Sequence, residues 1–236
     1  MDFDINTLSK TVTISKNDQY GRIAFIGGTI EDWKIVFKNN YNYDENVNSH
    51  KKVDENGYTG CLSFFDIKIV NVSIESFNSD CEDAVNFVRS SGSVKFLLIR
   101  NSLYDGLDAD FSSLKFDLID VKDAKNDCID FSYGEYFLNQ VIAESCGDKG
   151  VSIGETSKVK IEKLSVFNSN IGLASKDYAV TIIDNGVIHT TKNCVEAYNK
   201  KQEFSGGFIM ANKLHCVDSN TNLSVDDKSL TEVNFL

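Results

Sequence analysis

The chain returns to the same apolar position every 22 residues: Val85, Leu107, Ile129, Val151, Leu173 and Val195 keep that interval. Each of these residues lies in a short apolar stretch that opens with a polar or glycine-rich turn. A fixed period of this length is the mark of stacked coils. Residues one period apart then sit above one another at the inter-strand spacing, roughly 4.8 Å. The repeating strand reads Asp83-Ala-Val-Asn-Phe87, Asp105-Gly-Leu-Asp-Ala109, Asp127-Cys-Ile-Asp-Phe131, Lys149-Gly-Val-Ser-Ile153, Ile171-Gly-Leu-Ala-Ser175 and Asn193-Cys-Val-Glu-Ala197. Alternation puts its third and fifth residues inside and its fourth outside.

A small polar corner such as Ser90-Ser-Gly-Ser93 or Ser132-Tyr-Gly134 follows each strand. Two further short strands come next, for example Val159-Lys-Ile161 and Leu164-Ser-Val166. The expected architecture is therefore all-β: a right-handed parallel β-helix of about 22 residues and three short strands per coil. A helical reading fails because apolar residues are not sustained at i, i+3, i+4 and i+7, while Val, Ile, Phe and Thr are abundant. The absence of proline suits a stack whose backbone N–H groups bond to the next coil.

The period is clearest over residues 57–220 and weaker before residue 60, where Arg22-Ile-Ala-Phe-Ile26 and Trp33-Lys-Ile-Val-Phe37 read as strands of earlier coils. Residues 38–58 form a polar excursion that reads as a loop inserted at a corner, and Asn199 to Gly207 lengthens a late coil. Such insertions gather on the binding face of solenoids. One elongated domain, residues 1–236, accounts for the whole sequence. Neither end shows a polar cap, so a shortened chain or a module of a larger protein is expected, with open terminal coils that invite self-association or a partner.

A net charge of −11 argues against nucleic acid and anionic membrane surfaces, which require a basic patch. No stretch reaches the ~20 apolar residues of a membrane span. The start Met1-Asp-Phe-Asp lacks the basic-then-apolar character of an export signal. The chain as written thus reads as cytoplasmic, and a longer precursor would place it outside the cell or at its surface. Cys128 and Cys194 share a coil position three coils apart, roughly 14 Å by the strand spacing, too far for a disulfide. Cys81, Cys146 and Cys216 fall at other offsets, so no pair is obviously stacked, while Cys61 and Cys81 lie about one coil apart and leave a bond between them open. Buried reduced thiols are the expectation, without zinc, since there is no CxxC and no nearby His.

In order along the chain, Ser79-Asp-Cys-Glu-Asp-Ala-Val-Asn-Phe87, Asp105-Gly-Leu-Asp-Ala-Asp-Phe-Ser112, Asn126-Asp-Cys-Ile-Asp-Phe-Ser132, Gly147-Asp-Lys-Gly-Val-Ser-Ile-Gly-Glu155, Asn170-Ile-Gly-Leu-Ala-Ser-Lys-Asp177 and Ala197-Tyr-Asn-Lys-Lys-Gln-Glu-Phe204 resemble the motifs of bacterial right-handed parallel β-helix proteins of the pectate-lyase-like superfamily. The resemblance covers about residues 57–210. It implies a secreted or cell-surface protein, in a superfamily that includes polysaccharide lyases, hydrolases and epimerases alongside non-catalytic adhesins. Its members usually carry more N-terminal coils and an export signal.

The strongest chemical feature is an acidic ladder. Asp83, Asp105 and Asp127 share one coil position, Asp108 and Asp130 another, and Asp110 lies two residues beyond Asp108. Two carboxylates at ~4.8 Å repel by about 1 kcal/mol in water and about 3.5 kcal/mol at an effective dielectric of 20. In a cleft the ladder needs a cation, a shared proton or a lysine. Lys149, above Asp127, supplies a counter-charge, and a stacked ion pair is its plainest role. The lyase reading has calcium held by Asp108, Asp110 and Asp130, with Lys149 or Lys176 as the base. The hydrolase reading uses Asp108 and Asp130 as paired carboxylates. Tyr198, Lys200, Lys201, Glu203 and Phe204 in the late insertion suit sugar or carboxylate contacts, and a solvated loop is the plainer alternative.

Two functional classes follow. One is a polysaccharide-interacting β-helix that binds or cleaves an acidic polysaccharide on the face carrying Asp105, Asp108, Asp110, Asp127, Asp130 and Lys149. The other is a non-catalytic structural or adhesive module of a larger cell-surface protein.

Overall fold

A computed structural model describes residues 1–18, 21–41 and 53–236. In it the period becomes a parallel β-solenoid of about 10 turns, and no described residue is helical. Val85, Leu107, Ile129, Val151, Leu173 and Val195 lie in direct register, and every one is fully buried. Two further columns line the same interior: Val94, Phe116, Leu138, Ile161 and Ile183, and Ile99, Val121, Ala143, Val166 and Ile188. Phe25, Phe64 and Phe87 stack along the axis with centroids 5.2 and 4.8 Å apart, adding ring–ring attraction to the burial of large apolar surfaces.

Three faces arise from slips in the alternation. Along Ser113–Ala124 the inward residues are Leu114 and Phe116, then Ile119 and Val121, then Ala124. The inside-outside pattern therefore shifts by one position twice, and each shift turns the chain through a corner. At one corner Asn78, Asn101, Asp123, Ser145, Asn168 and Thr190 all take left-handed conformations, with φ between 54° and 61°. Short polar side chains tolerate that region best, and they stack in turn: the Asn101 amide donates to Asn78 Oδ1 at 2.9 Å.

The small residues of the repeating strand have a packing cause. Ala84, Gly106, Cys128, Gly150, Gly172 and Cys194 form one column. A Cβ on Gly106 would lie 2.5 Å from the Cys128 carbonyl oxygen, and one on Gly172 2.5 Å from that of Cys194. The coils approach too closely here for larger side chains.

The cysteines overturn the expectation of reduced thiols. Cys61–Cys81, Cys128–Cys146 and Cys194–Cys216 are disulfide-bonded, with Cα–Cα distances of 5.3, 5.4 and 5.9 Å, and no cysteine is free. Cys61, Cys128 and Cys194 all sit in the small-residue column, and each bonds to a cysteine in the corner that leads into the same position one coil higher. The pairing is diagonal in space, so a search for identical coil positions misses it, although Cys194 and Cys216 are one period of 22 residues apart and Cys61 and Cys81 nearly so.

The predicted early strands are present as Ile23–Ile26 and Lys34–Asn39. Ahead of them, Asp2–Asn6 folds back antiparallel on Thr11–Lys16, an edge strand that the sequence reading lacked. Of the 38–58 excursion, residues 42–52 lie outside the described residues, and Lys38 and Asn39 belong to the strand Lys34–Asn39 rather than to a loop. The late insertion follows Val180–Tyr198 and ends at the strand Phe208–Val217. No helix is long and apolar enough to cross a membrane among the described residues.

Each disulfide closes a loop of 18 to 22 residues, for which removal costs about 3 kcal/mol. Urea unfolding of Cys128→Ser/Cys146→Ser is expected to show that loss; an unchanged midpoint would mean that the bond adds nothing to the stack.

Candidate functional site

Parallel register converts the aspartates into three adjacent columns on the outer side of one face. The first holds Asp83, Asp105, Asp127 and Lys149. The second holds Asn86, Asp108, Asp130 and Ser152, and the third Val88, Asp110, Ser132 and Gly154. Although these positions point away from the core, Asp83 is only 2% and Asn86 1% exposed.

The first column is structural. Asp105 Oδ1 accepts the Asp127 amide at 2.8 Å and the Asn126 side-chain amide at 2.7 Å. One coil higher, Asp127 Oδ1 accepts the Lys149 amide at 2.9 Å, with the Lys149 ammonium at 3.4 Å. These carboxylates stitch successive corners together. Lys149, which also bonds Asp148, has the role of a stacked ion pair. Burial works against its charge, but Asp127 and Asp148 hold it firmly protonated, so it is no proton acceptor at neutral pH.

The second column is different, because its polar atoms are left unmet. Asn86 donates to Asp108 Oδ2 at 2.9 Å, which leaves Asn86 Oδ1 buried without a partner; in the first column the same holds for Asp83 Oδ2, at its lower end. Asp130 Oδ1 accepts no hydrogen bond and faces the Lys176 ammonium at 3.9 Å. Lys176 reaches this point because Gly154 has no side chain: a Cβ there would lie 2.8 Å from Lys176 Cε. Its ammonium donates to Ser152 Oγ at 2.5 Å.

Desolvation and mutual repulsion make the ladder hold protons. Burial, with added repulsion from Asp105, lifts Asp83 to about 8, and burial with the charge of Asp127 lifts Asp105 to about 7. Burial and then Asp83, Asp110 and Asp130 push Asp108 well above the carboxylate range. Burial and Asp130 bring Asp110 to about 6. Asp108, the carboxyl pushed up most by its surroundings, lies directly beneath Asp130 and its lysine.

Calcium finds no ready cage. Among the described residues, the trio of His, Cys, Asp or Glu whose ligand atoms all lie within 4.8 Å of one another is Cys61, Asp80 and Cys81, and its two cysteines are bonded to each other. Asp108, Asp110 and Asp130 do not converge in this way.

The late insertion reaches the ladder from one side. Lys201 pairs with buried Glu155 at 2.5 Å, and Asp177 Oδ1 accepts the Lys200 and Lys201 amides at 2.7 and 2.9 Å. Phe204 lies edge-on to Tyr133 and Tyr178, with centroids 6.4 and 6.0 Å away. Tyr198 is half-buried, in register with Lys176, and Lys200 is exposed. Glu155, Asp177, Ser152 and Tyr133 belong to this site and were not foreseen. The signal was available, since Glu155 and Asp177 are 22 residues apart, as are Phe111 and Tyr133. Comparison with protein-family models, curated proteins and solved structures found no match.

Raised carboxyl values make stability fall with pH. The folded state binds protons more tightly than an unfolded chain whose aspartates titrate near 3.8, so stability is full below that value and declines as pH rises toward about 8. Glu155 is shifted the other way, because hydrogen bonds from Lys201 and Ser132 outweigh its burial, and it acts only below this window. The melting temperature is expected to be higher at pH 5 than at pH 8, and Asp83→Asn should flatten the slope. A melting temperature that rises with pH would refute the proton-holding ladder. Calcium titration is expected to leave the melting temperature unchanged; a rise abolished in Asp108→Asn/Asp130→Asn would establish a cage that forms on binding.

Proposed function

We propose that the chain is a pectate-lyase-like β-helix protein that recognises a polysaccharide along the aspartate face, with Asp108 and Asp130 as a proton donor and carboxylate pair able to act on a glycosidic bond. The observation that carries this reading is the contrast between adjacent columns. Asp105 Oδ1 and Asp127 Oδ1 each accept a backbone amide from the next coil, whereas Asn86 Oδ1 and Asp130 Oδ1 in the second column lack hydrogen-bond partners. Unmet buried polar atoms are costly, and sugar hydroxyls supply both donors and acceptors to such groups.

Two stacked carboxyls in unlike surroundings are also what glycosidic cleavage requires: one keeps its proton to protonate the leaving oxygen, and the other stays ionised. Asp108 is buried against other carboxylates, and Asp130 faces Lys176. The lyase alternative has less support, because Lys149 is fixed in ion pairs and the Lys176 ammonium is engaged by Ser152 beside Asp130. Three disulfides support a secreted or cell-surface setting, since such bonds persist in oxidising compartments.

Affinity electrophoresis in gels containing acidic or neutral polysaccharides, paired with an assay for released reducing ends, tests the proposal. The parent is expected to be retarded by at least one polysaccharide. Asp108→Asn should lower any cleavage by about a hundredfold or more. No retardation and no product with any polysaccharide would sink the proposal and leave a structural module, the reading favoured by the amide-bonded first column.

A further inference from the structure

Beyond Asp110 the chain turns the corner that leaves the aspartate face, and the residues there are unlike those of the opposite corner. Arg89, Phe111 and Tyr133 occupy equivalent positions in consecutive coils with φ of 48°, 51° and 52°. The other corner uses Asn, Asp, Ser and Thr for the same left-handed conformation. Bulky side chains are disfavoured there, so packing and backbone preference do not explain this choice. The rings do not bury themselves either. Phe111 is 56% and Tyr133 38% exposed, and they stack in parallel at 4.6 Å with an interplanar angle of 6°.

Beside the stack lies a cavity of ≈ 450 Å³, whose walls include Arg89, Ser91, Ser113 and Lys158. It shares Ser91, Ser113, Glu135 and Lys158 with a groove of ≈ 630 Å³ on the neighbouring face. There Phe137 lies between two ammonium groups, Lys115 and Lys160, at 5.6 and 5.9 Å from its ring centroid. The charged side chains lining the two cavities are Arg89, Lys115, Lys158, Lys160 and a single carboxylate, Glu135, on a chain of net charge −11. Each cation has a surface carboxylate partner: Asp66, Asp117, Glu135 and Asp184. Exposed pairs of this kind hold weakly and can exchange for a ligand carboxylate.

We infer that this corner groove is a docking site for an acidic polysaccharide, with Phe111, Tyr133 and Phe137 contacting the apolar faces of its pyranose rings and Arg89, Lys115 and Lys160 its uronate carboxylates. The inference rests on the polysaccharide reading and gives the acidic chain a place other than the aspartate ladder, where like charges would repel it. Because Asp110 immediately precedes Phe111, a chain lying in the groove leads onto the aspartate face.

The test is affinity electrophoresis with polygalacturonate, alginate and neutral xylan. It compares the parent with Phe111→Asn, with Lys115→Ser/Lys160→Ser, and with Lys122→Ser, the loss of a cation on another face. Asn accepts the left-handed backbone, so Phe111→Asn should melt at or above the parent temperature while its affinity for an acidic polysaccharide falls about tenfold. The double lysine variant should lose a similar factor, with the parent's binding weakened by added salt, and Lys122→Ser should match the parent. Equal retardation by xylan, or corner variants that bind like the parent, overturns the inference. If the loss instead appears only in Asp108→Asn/Asp130→Asn, the polysaccharide reading stands and the corner assignment falls. If no polysaccharide binds the parent, both fall together.

Discussion

Hydrogen bonding between successive coils places like above like. Once Leu107 is paired with Ile129 and Val151 with Leu173, every outward residue is held against its own counterpart one coil away. Apolar columns gain from this, and so do amide-bearing corners such as Asn78 and Asn101. Carboxylates do not, unless something neutralises them. The aspartate face shows three responses in adjacent columns: backbone amides for Asp105 and Asp127, a lysine for Asp130, and for Asp108 a carboxyl that burial and its neighbours push toward the neutral form.

Those differences separate residues whose carboxylates meet the next coil's amides from residues whose polar atoms are left unmet. Asp105 and Asp127 look identical to Asp108 and Asp130 in sequence, and all four recur at the same interval. Their difference lies in where the next coil points its amides. The first column meets the N–H groups at the entrance of each strand, whereas the second lies where alternate amides are already committed to the inter-coil ladder. The chemistry of the face is therefore a consequence of strand geometry acting on a uniform sequence.

Much of the fold was legible because its period is. The interior columns, the acidic ladder, the Lys149–Asp127 pair and the late insertion all follow from counting residues. Counting fails where a contact runs diagonally. Cys128 reaches Cys146 across a corner, and Lys176 bends back over Gly154 to Ser152, so neither pairing appears as a multiple of the repeat. The aromatic corner was in phase, since Phe111 and Tyr133 are one period apart, but their exposure depends on the left-handed turn that lifts them off the core.

The disulfides also determine how the molecule responds to tension. A parallel solenoid pulled along its axis sheds coils one at a time from an end, since each is held chiefly by its neighbour. Here the covalent ties join adjacent coils near the beginning, middle and end of the stack, at Cys61–Cys81, Cys128–Cys146 and Cys194–Cys216. Each tie removes the residues within its loop from the length that can be drawn out, so peeling proceeds in short stages between staples. The solenoid yields in segments, and the staples keep neighbouring coils joined while it does.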